Sequence, residues 1–330
     1  MALKSEADRQ SYLDNKVKIS KEERAKTADW VIESVKEILY LVNKKDARYS
    51  AEPIKLGNYG EYNKVDKPNE FNFMVPLSGI LQERLPFSLE GSLQNELHIT
   101  LNTVTPWNKS VPNELSPLMV IVQFQNIVAD VLKDKAPSNV EACQLKPNCQ
   151  VVTLTLKKLG QEVDVDLIPI IFNHFSQWLQ KWPRVMWPSD ATVRTLKVLG
   201  IDVVNTNKWK LSFFKAEKRL RQTIDEDGGR RKDSLRILKY YLLEDSPTDF
   251  SAVISSYHLQ TTLFWACEEH RNAQGWNTLN KSLNLLILKL MAFLKHWHLP
   301  HYFLPGVNLL DTRTNPTIRS CLFDRVRSLK

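Results

Sequence analysis

VVTLTLKKLGQEVDVDLIPII, residues 151–171, contains two alternating apolar runs that meet at Lys157, Lys158, Leu159 and Gly160. Alternation with period two on both sides of a glycine-containing turn is the pattern of a β-hairpin, where every second side chain shares a face. The second arm therefore places Asp164 and Asp166 on one face.

Upstream, GNYGEYNKVDKPNEFNFMVPL at 57–77 sets a glycine turn ahead of an alternating strand, EFNFMVPL at 70–77. Glu70 and Asn72 fall two residues apart, so their side chains share a face, which is how a metal-dependent nucleotidyl transferase presents paired carboxylates. Here the second member is an amide. LHITLNTV at 97–104 alternates in the same way, and a helix is expected over 116–134. SKEERAKTADWVIESVKEILYLV at 20–42 carries apolar residues at 28, 31, 32, 35, 38, 39 and 42, and Ser20 with Glu23 forms a capping box, so a long amphipathic helix is expected. Beyond Pro169 the pattern turns helical, near 190–199, 212–224, 230–244, 251–270 and 278–297, with little that reads as strand. The expected division is 1–172 and 173–330, and the fold class α+β.

The 330 residues, 43% hydrophobic and 25% charged, suit a folded protein with a packed core. No apolar leader opens the sequence, and the most apolar segment, 283–294, is short and broken by Lys289, so an intracellular, cytoplasmic protein is expected. Four scattered cysteines point to reduced thiols rather than a disulfide framework. Cys267 with His270, and His296, His298 and His301, lack a second well-spaced pair and read as helix-face and loop residues rather than zinc ligands. The net charge of +8 suggests a polyanionic partner, nucleic acid or nucleotide phosphate. The excess is local. It is dense from Lys208 to Lys239, and Lys16, Lys18, Lys21, Arg24 and Lys26 line the start of the long helix, where a solvated face is the alternative.

The order of parts and five sequence blocks resemble the family of cyclic GMP-AMP synthase and the Mab (male-abnormal) proteins. The blocks are the 57–77 segment, VDVDLIPII at 163–171, WKLSFFKAEKRL at 209–220, SLRILKYYL at 234–242 and SSYHLQTTLFWAC at 255–267. The resemblance runs from about residue 20 to 310 and implies a bilobed nucleotidyltransferase fold, a mixed β-sheet N-lobe with a long spine helix and a helical C-lobe. It implies an enzyme that joins ATP and GTP into a cyclic dinucleotide. Glu70, Asn72 and Asp166 would hold magnesium or manganese, and Gly57 and Asn58 would lie under the triphosphate. Lys239 would meet phosphate, Tyr257 would stack on a base beside Ser256, and Lys210, Ser212 and Glu217 would contact the second nucleotide.

Three positions depart from the family pattern. Asn72 stands where the family has aspartate, Asn58 where it has serine, and Ile168 where the animal synthase has a small polar residue. An amide oxygen still ligates a metal but removes one negative charge from a site for two dications, so metal affinity and turnover are expected to fall. Asn72 is either a natural loss or an isosteric replacement. DEDGGRRKD at 225–233 occupies the place where the vertebrate DNA sensor inserts a His/Cys zinc thumb. The chain thus resembles the invertebrate cyclic GMP-AMP synthase-like receptors of innate antiviral immunity, without structural zinc and responsive to double-stranded RNA. Arg230, Arg231 and Lys232 with the Lys16–Lys26 cations would then meet RNA phosphates, with dimerisation on the nucleic acid. The alternatives are a catalytically inactive Mab-family binding or developmental protein and an oligoadenylate-type synthase.

Overall fold

The computed structural model describes residues 3–17, 21–55, 70–80, 87–88, 96–101, 104–107, 113–146, 151–172, 187–206 and 208–330; for residues 21–25, 70, 87–88, 96–98, 100–101 and 113 only the backbone is described. Ser20, Gly57, Asn58 and Lys18 lie outside these residues.

The expected hairpin is β7 (Val152–Lys158) and β8 (Gln161–Ile171), paired from Val152↔Leu167 to Lys158↔Gln161. Its two-residue turn holds Leu159 at φ 50° and Gly160 at φ 70°. Two successive positive φ values match the right-handed twist of the flanking strands. On the other edge of β8, β2 (Glu70–Pro76) runs parallel, from Glu70↔Asp164 to Pro76↔Ile170. Phe71, Phe73 and Val75 on β2, Val163, Val165 and Leu167 on β8, and Leu154 and Leu156 on β7 are all buried. Burial of the odd-numbered residues of β2 and β8 fixes the register, because a slip by one residue would expose all of them.

The sheet contains ten strands among the described residues. β1 (Ile54–Lys55) borders β2, and β6 (Ala142–Leu145) borders β7. β9 (Asp202–Asn205) pairs with the end of β8, β10 (Trp209–Ser212) with β9, and β4 (Glu96–Leu101) with β10. The short β3 (Phe87–Ser88) and β5 (Asn113–Glu114) flank β4. The sheet therefore continues past residue 172, correcting the expectation of little strand beyond Pro169. Asp202 and the cations between 208 and 215 obscure the alternation, but Asp202 is buried and receives the Lys215 ammonium at 2.8 Å.

The helix α2 (Lys21–Lys45) is the expected spine. It buries Ala28, Val31, Val35, Ile38, Leu39 and Val42 and packs on α3 (Pro117–Asp134), whose first turn is capped by the Ser116 hydroxyl. Its 25 residues give it a length of about 38 Å. The helical part comprises α4 (Asp190–Leu199), α5 (Phe214–Thr223), α6 (Arg231–Lys239) continued by a π-helical turn at Tyr240–Glu244, α7 (Ser256–Glu269), α8 (Leu279–His296) and α9 (Pro316–Arg327). α7 starts at Ser256 rather than 251 because Ser255 and His258 close a capping box there.

α1 (Glu6–Tyr12) and α9 have no counterpart in the sequence expectation. The buried Arg9 guanidinium on α1 donates to the carbonyls of Leu3, Asn280 and Leu329, while Glu6 accepts the first N–H groups of α8 from Leu279 and Asn280. This clasp binds the N-terminal helix to the helical part. It consumes donors that no periodicity reveals.

Leucine in the left-handed region is strained, and Leu159 is 83% exposed. Leu159→Asn keeps the N–H bonded to Glu141 and supplies a residue that suits this turn, so it should raise stability by about 0.5–1 kcal/mol in denaturant unfolding.

Candidate nucleotide and metal site

The register of β2 on β8 puts Asn72 directly beside Asp166 and the Glu70 position beside Asp164, on the face opposite Phe71, Phe73, Val163 and Val165. β7 continues both rows, since Thr153 pairs with Asp166 and Thr155 with Asp164. The Thr153 hydroxyl donates to Asp166 Oδ1 at 2.7 Å and the Thr155 hydroxyl to Asp164 Oδ1 at 2.9 Å. Lys146, just beyond β6, gives its ammonium to Asp164 Oδ2 at 2.5 Å. The Glu70 side chain is outside the description, and among the described residues no three His, Cys, Asp or Glu side chains gather as a metal cluster. The donor set is one of hard oxygens: carboxylate at 166, amide at 72 and, in register, the Glu70 position. Magnesium and manganese take such donors, so these residues fit a divalent cation with one charge fewer than two acids on β2 would give.

A second cluster lies around β10 and the helices. β10 places Lys210 and Ser212 on its half-buried face, and α5 begins two residues later, bringing Glu217 into its first turn. The first turn of α7 supplies Ser256 and Tyr257. Tyr257 donates its hydroxyl to Glu217 Oε1 at 2.9 Å and lies 2.8 Å from His301 Nε2. His301 Nδ1 accepts the N–H groups of Phe303 and Leu304, both at 3.1 Å. An acceptor at Nδ1 leaves the proton of the neutral ring on Nε2, so His301 donates to the Tyr257 oxygen, which donates onward to Glu217.

Lys239 ends α6 at 2% exposure, and the buried Arg221 of α5 donates to Gln260 Oε1 at 3.0 Å. Burial, and then the neighbouring Arg221 charge, push the Lys239 ammonium down to about 7. Burial raises the Glu217 carboxyl, opposed by Arg221 and by the Tyr257 hydrogen bond. It raises the Tyr257 phenol well above its usual range, reinforced by Glu217. It lowers His301 to about 4. Arg221 thus acts on both the Lys239 ammonium and the reluctant Glu217 carboxylate, and two buried cations side by side favour an anion.

The structure places the other expected residues apart from these two clusters. Lys16 and Lys26 are exposed, whereas the side chains of Lys21 and Arg24 are outside the description. Arg230 is half-buried, bonded to Asp233 and to Gln10 of α1. Lys232 reaches the Gln222 carbonyl at 3.4 Å. Arg231 must be corrected: it is 1% exposed, forked onto Asp227, bonded to the Ile224 carbonyl and stacked 4.8 Å from the Trp276 ring. Its charge is consumed in closing the 225–229 loop, which removes it from any accessible RNA-facing surface. Sequence reasoning missed Thr153, Thr155, Lys146, Arg221 and Gln260, and passed over His301. The alternation of Thr153 with Leu154 was the visible signal for the threonines; partners brought in from distant helices leave none.

A mixed sheet that sets oxygen donors from two parallel strands on one face, joined to a helical part with a buried basic and aromatic cluster, defines a nucleotidyltransferase fold. The Mab-21 protein nucleotidyltransferase domain matches residues 59–222, and the Mab-21 protein HhH/H2TH-like domain matches residues 230–327. The chain belongs to the Mab-21 family. It is 25% identical to Protein mab-21-like 3 of Danio rerio over 93% of this chain and 92% of that protein. It is 27% identical to Protein mab-21-like of Aedes aegypti over 92% and 87%. Similarity extends to Cyclic GMP-AMP synthase of Mus musculus, at 24% identity over 93% of this chain and 66% of that protein. No helix among the described residues is long and apolar enough to cross a membrane.

His301 is held neutral in the folded protein, with its value lowered from 6.5 to about 4, so between those pH values the unfolded chain binds more protons. Stability should fall as pH drops from about 6.5 towards 4, on the order of 3 kcal/mol from this group. His301→Gln should flatten that slope in urea titrations across the window.

Proposed function

We propose that this chain is a nucleic-acid-activated nucleotidyltransferase that joins ATP and GTP into a cyclic dinucleotide of the cyclic GMP-AMP type, with its turnover held down by Asn72. The observation that carries this reading is the in-register pairing of Asn72 with Asp166 on the polar face of two parallel strands. The similarity to the mouse protein named Cyclic GMP-AMP synthase supports the same reading.

In this proposal Glu70, Asn72 and Asp166 would hold magnesium or manganese, which would supply charge neutralisation for phosphate and activation of a hydroxyl. Thr153 orients the Asp166 carboxylate through its 2.7 Å bond. Lys239, buried close to Arg221 in the free protein, meets triphosphate oxygens once the site opens to admit them, and the resemblance assigns Gly57 and Asn58, which lie outside the described residues, to the same phosphates. The Tyr257 ring, with its hydroxyl tied between His301 and Glu217, stacks on a base beside Ser256. Lys210, Ser212 and Glu217 contact the second nucleotide. The activator is double-stranded RNA, read by shape and phosphate through the Lys16–Lys26 cations with Arg230 and Lys232, in a cytoplasmic antiviral sensor that pairs on the nucleic acid.

One observation favours a second reading. Asn72 leaves the acid face a charge short, and Lys146 neutralises Asp164, which suits a Mab-21 protein that binds nucleotide or partner without turnover.

Asn72→Asp, incubated with ATP, GTP, manganese and double-stranded RNA, should yield a cyclic dinucleotide at least tenfold faster than the parent chain by chromatography. Absence of any nucleotide product with RNA or DNA would leave the binding reading. Linear adenylate chains would assign the oligoadenylate-type reaction instead.

Lys239 supplies a test that needs no turnover. With its ammonium near 7 in the free protein, most of the chain carries a neutral amine at pH 8, and a bound triphosphate favours the charged form. Calorimetry of ATP or GTP binding in buffers of different ionisation enthalpy should show uptake of about one proton or somewhat less. Lys239→Met should bind more weakly and without that uptake.

A further inference from the structure

The acid face already carries a cation of its own. β6 pairs with β7 at Gln144↔Thr155 and Leu145↔Leu154, and the Lys146 N–H donates to the Thr153 carbonyl at 2.8 Å, so the ladder runs one residue past β6. Lys146 thereby stands opposite Thr153, which stands opposite Asp166, which stands opposite Asn72. Residues directly opposed in a sheet share a face, and those two apart on a strand do as well. The rows Lys146–Thr153–Asp166–Asn72 and Gln144–Thr155–Asp164–Glu70 are thus neighbouring lines on one surface. The Lys146 ammonium does not stay in its own row. It crosses to Asp164 Oδ2, while Thr155 holds Asp164 Oδ1 and Thr153 holds Asp166 Oδ1.

Asp164 and Asp166 stand two residues apart on one face of β8, with the Glu70 position in register with Asp164. Such crowding of like charge calls for a counter-charge. Lysine suits the part, being a compact ammonium on a long four-carbon arm, here 42% exposed while paired with Asp164.

We propose that Lys146 is a tethered cation of the acid face that opposes divalent-metal binding there, so that the Lys146–Asp164 pair sets the metal affinity of the site. The inference rests on the reading of Glu70, Asn72 and Asp166 as a magnesium or manganese site, and it names how that site is regulated. Asp164 and Asp166 are two strand residues apart, about 7 Å, so the ammonium sits within repulsive range of a dication at Asp166. An approaching phosphate group would draw the same ammonium away, coupling nucleotide arrival to metal loading.

The test is manganese binding to the full chain without nucleotide, monitored by electron paramagnetic resonance and calorimetry. Lys146→Met should bind manganese about five- to tenfold more tightly than the parent, and Lys146→Arg, which keeps the charge, should stay within twofold of it. Both variants alter a half-exposed side chain, so unchanged melting curves verify the fold. Equal affinity in Lys146→Met and the parent, or weaker binding in Lys146→Met, overturns the proposal. Asn72→Asp separates the tethered cation from the metal site beneath it. If it tightens manganese binding while Lys146→Met does not, the tethered cation fails and the metal reading stands. If neither variant nor the parent binds manganese, both fail together.

Discussion

The parallel pairing of β2 with β8 is the constraint on which the rest depends. Its register is set by the buried face, where Phe71 and Phe73 pack with Val163, Val165 and Leu167. The polar face then has no freedom of its own. Because side chains alternate strictly along a strand, burying the apolar set in one register places Asn72 beside Asp166 and Glu70 beside Asp164. The hydrophobic effect thus does the geometric work of assembling polar groups that would not gather by themselves.

Two polar regions of opposite character result. On the sheet, oxygen donors gather and receive hydroxyl and ammonium groups from β7 and the end of β6. Around α5, α6 and α7, the buried Arg221 acts on both the buried Lys239 ammonium and the Glu217 carboxylate. In the proposed function a nucleoside triphosphate with a divalent cation would set its metal towards the oxygen donors, its phosphates towards lysine and arginine and its base towards an aromatic face. Asn72 touches only the first of these. In that proposal its missing charge would bear on holding a dication and on the chemical step, whereas the basic cluster is built from other elements.

The hairpin, the β2 strand, the spine helix and most helices beyond residue 190 were legible because each has its own periodicity. The shared face of positions 70, 72 and 166 was legible for the same reason, while their proposed role as metal donors draws on the resemblance to a known family. β9 and β10 were obscured because buried Asp202 and the half-buried Lys210 interrupt the apolar alternation, and the cost of burying Asp202 is offset by Lys215. Arg231 was misread because a run of three basic residues looks the same whether it is solvated or folded inward. Only the fork onto Asp227 and the face of Trp276, which lies far along the chain, distinguishes the two. His301 had no local signal at all, since it lies in the irregular segment after α8 and its hydrogen bonding depends on Tyr257 from a distant helix.

The 225–229 loop shows what that misread arginine accomplishes. Arg231 bonds Asp227 through both terminal nitrogens and the Ile224 carbonyl through one, while Asp225 accepts the N–H groups of Arg231 and Lys232 at the start of α6. Two carboxylates therefore tie the helix start to the loop preceding it, one through a side-chain fork and one through backbone donors favoured by the helix dipole. The arginine is almost fully buried, and removal of a partner from such a pair leaves an uncompensated charge. The loop is thus coupled to the packing of α6 on α7 and α8, and α6 ends at Lys239.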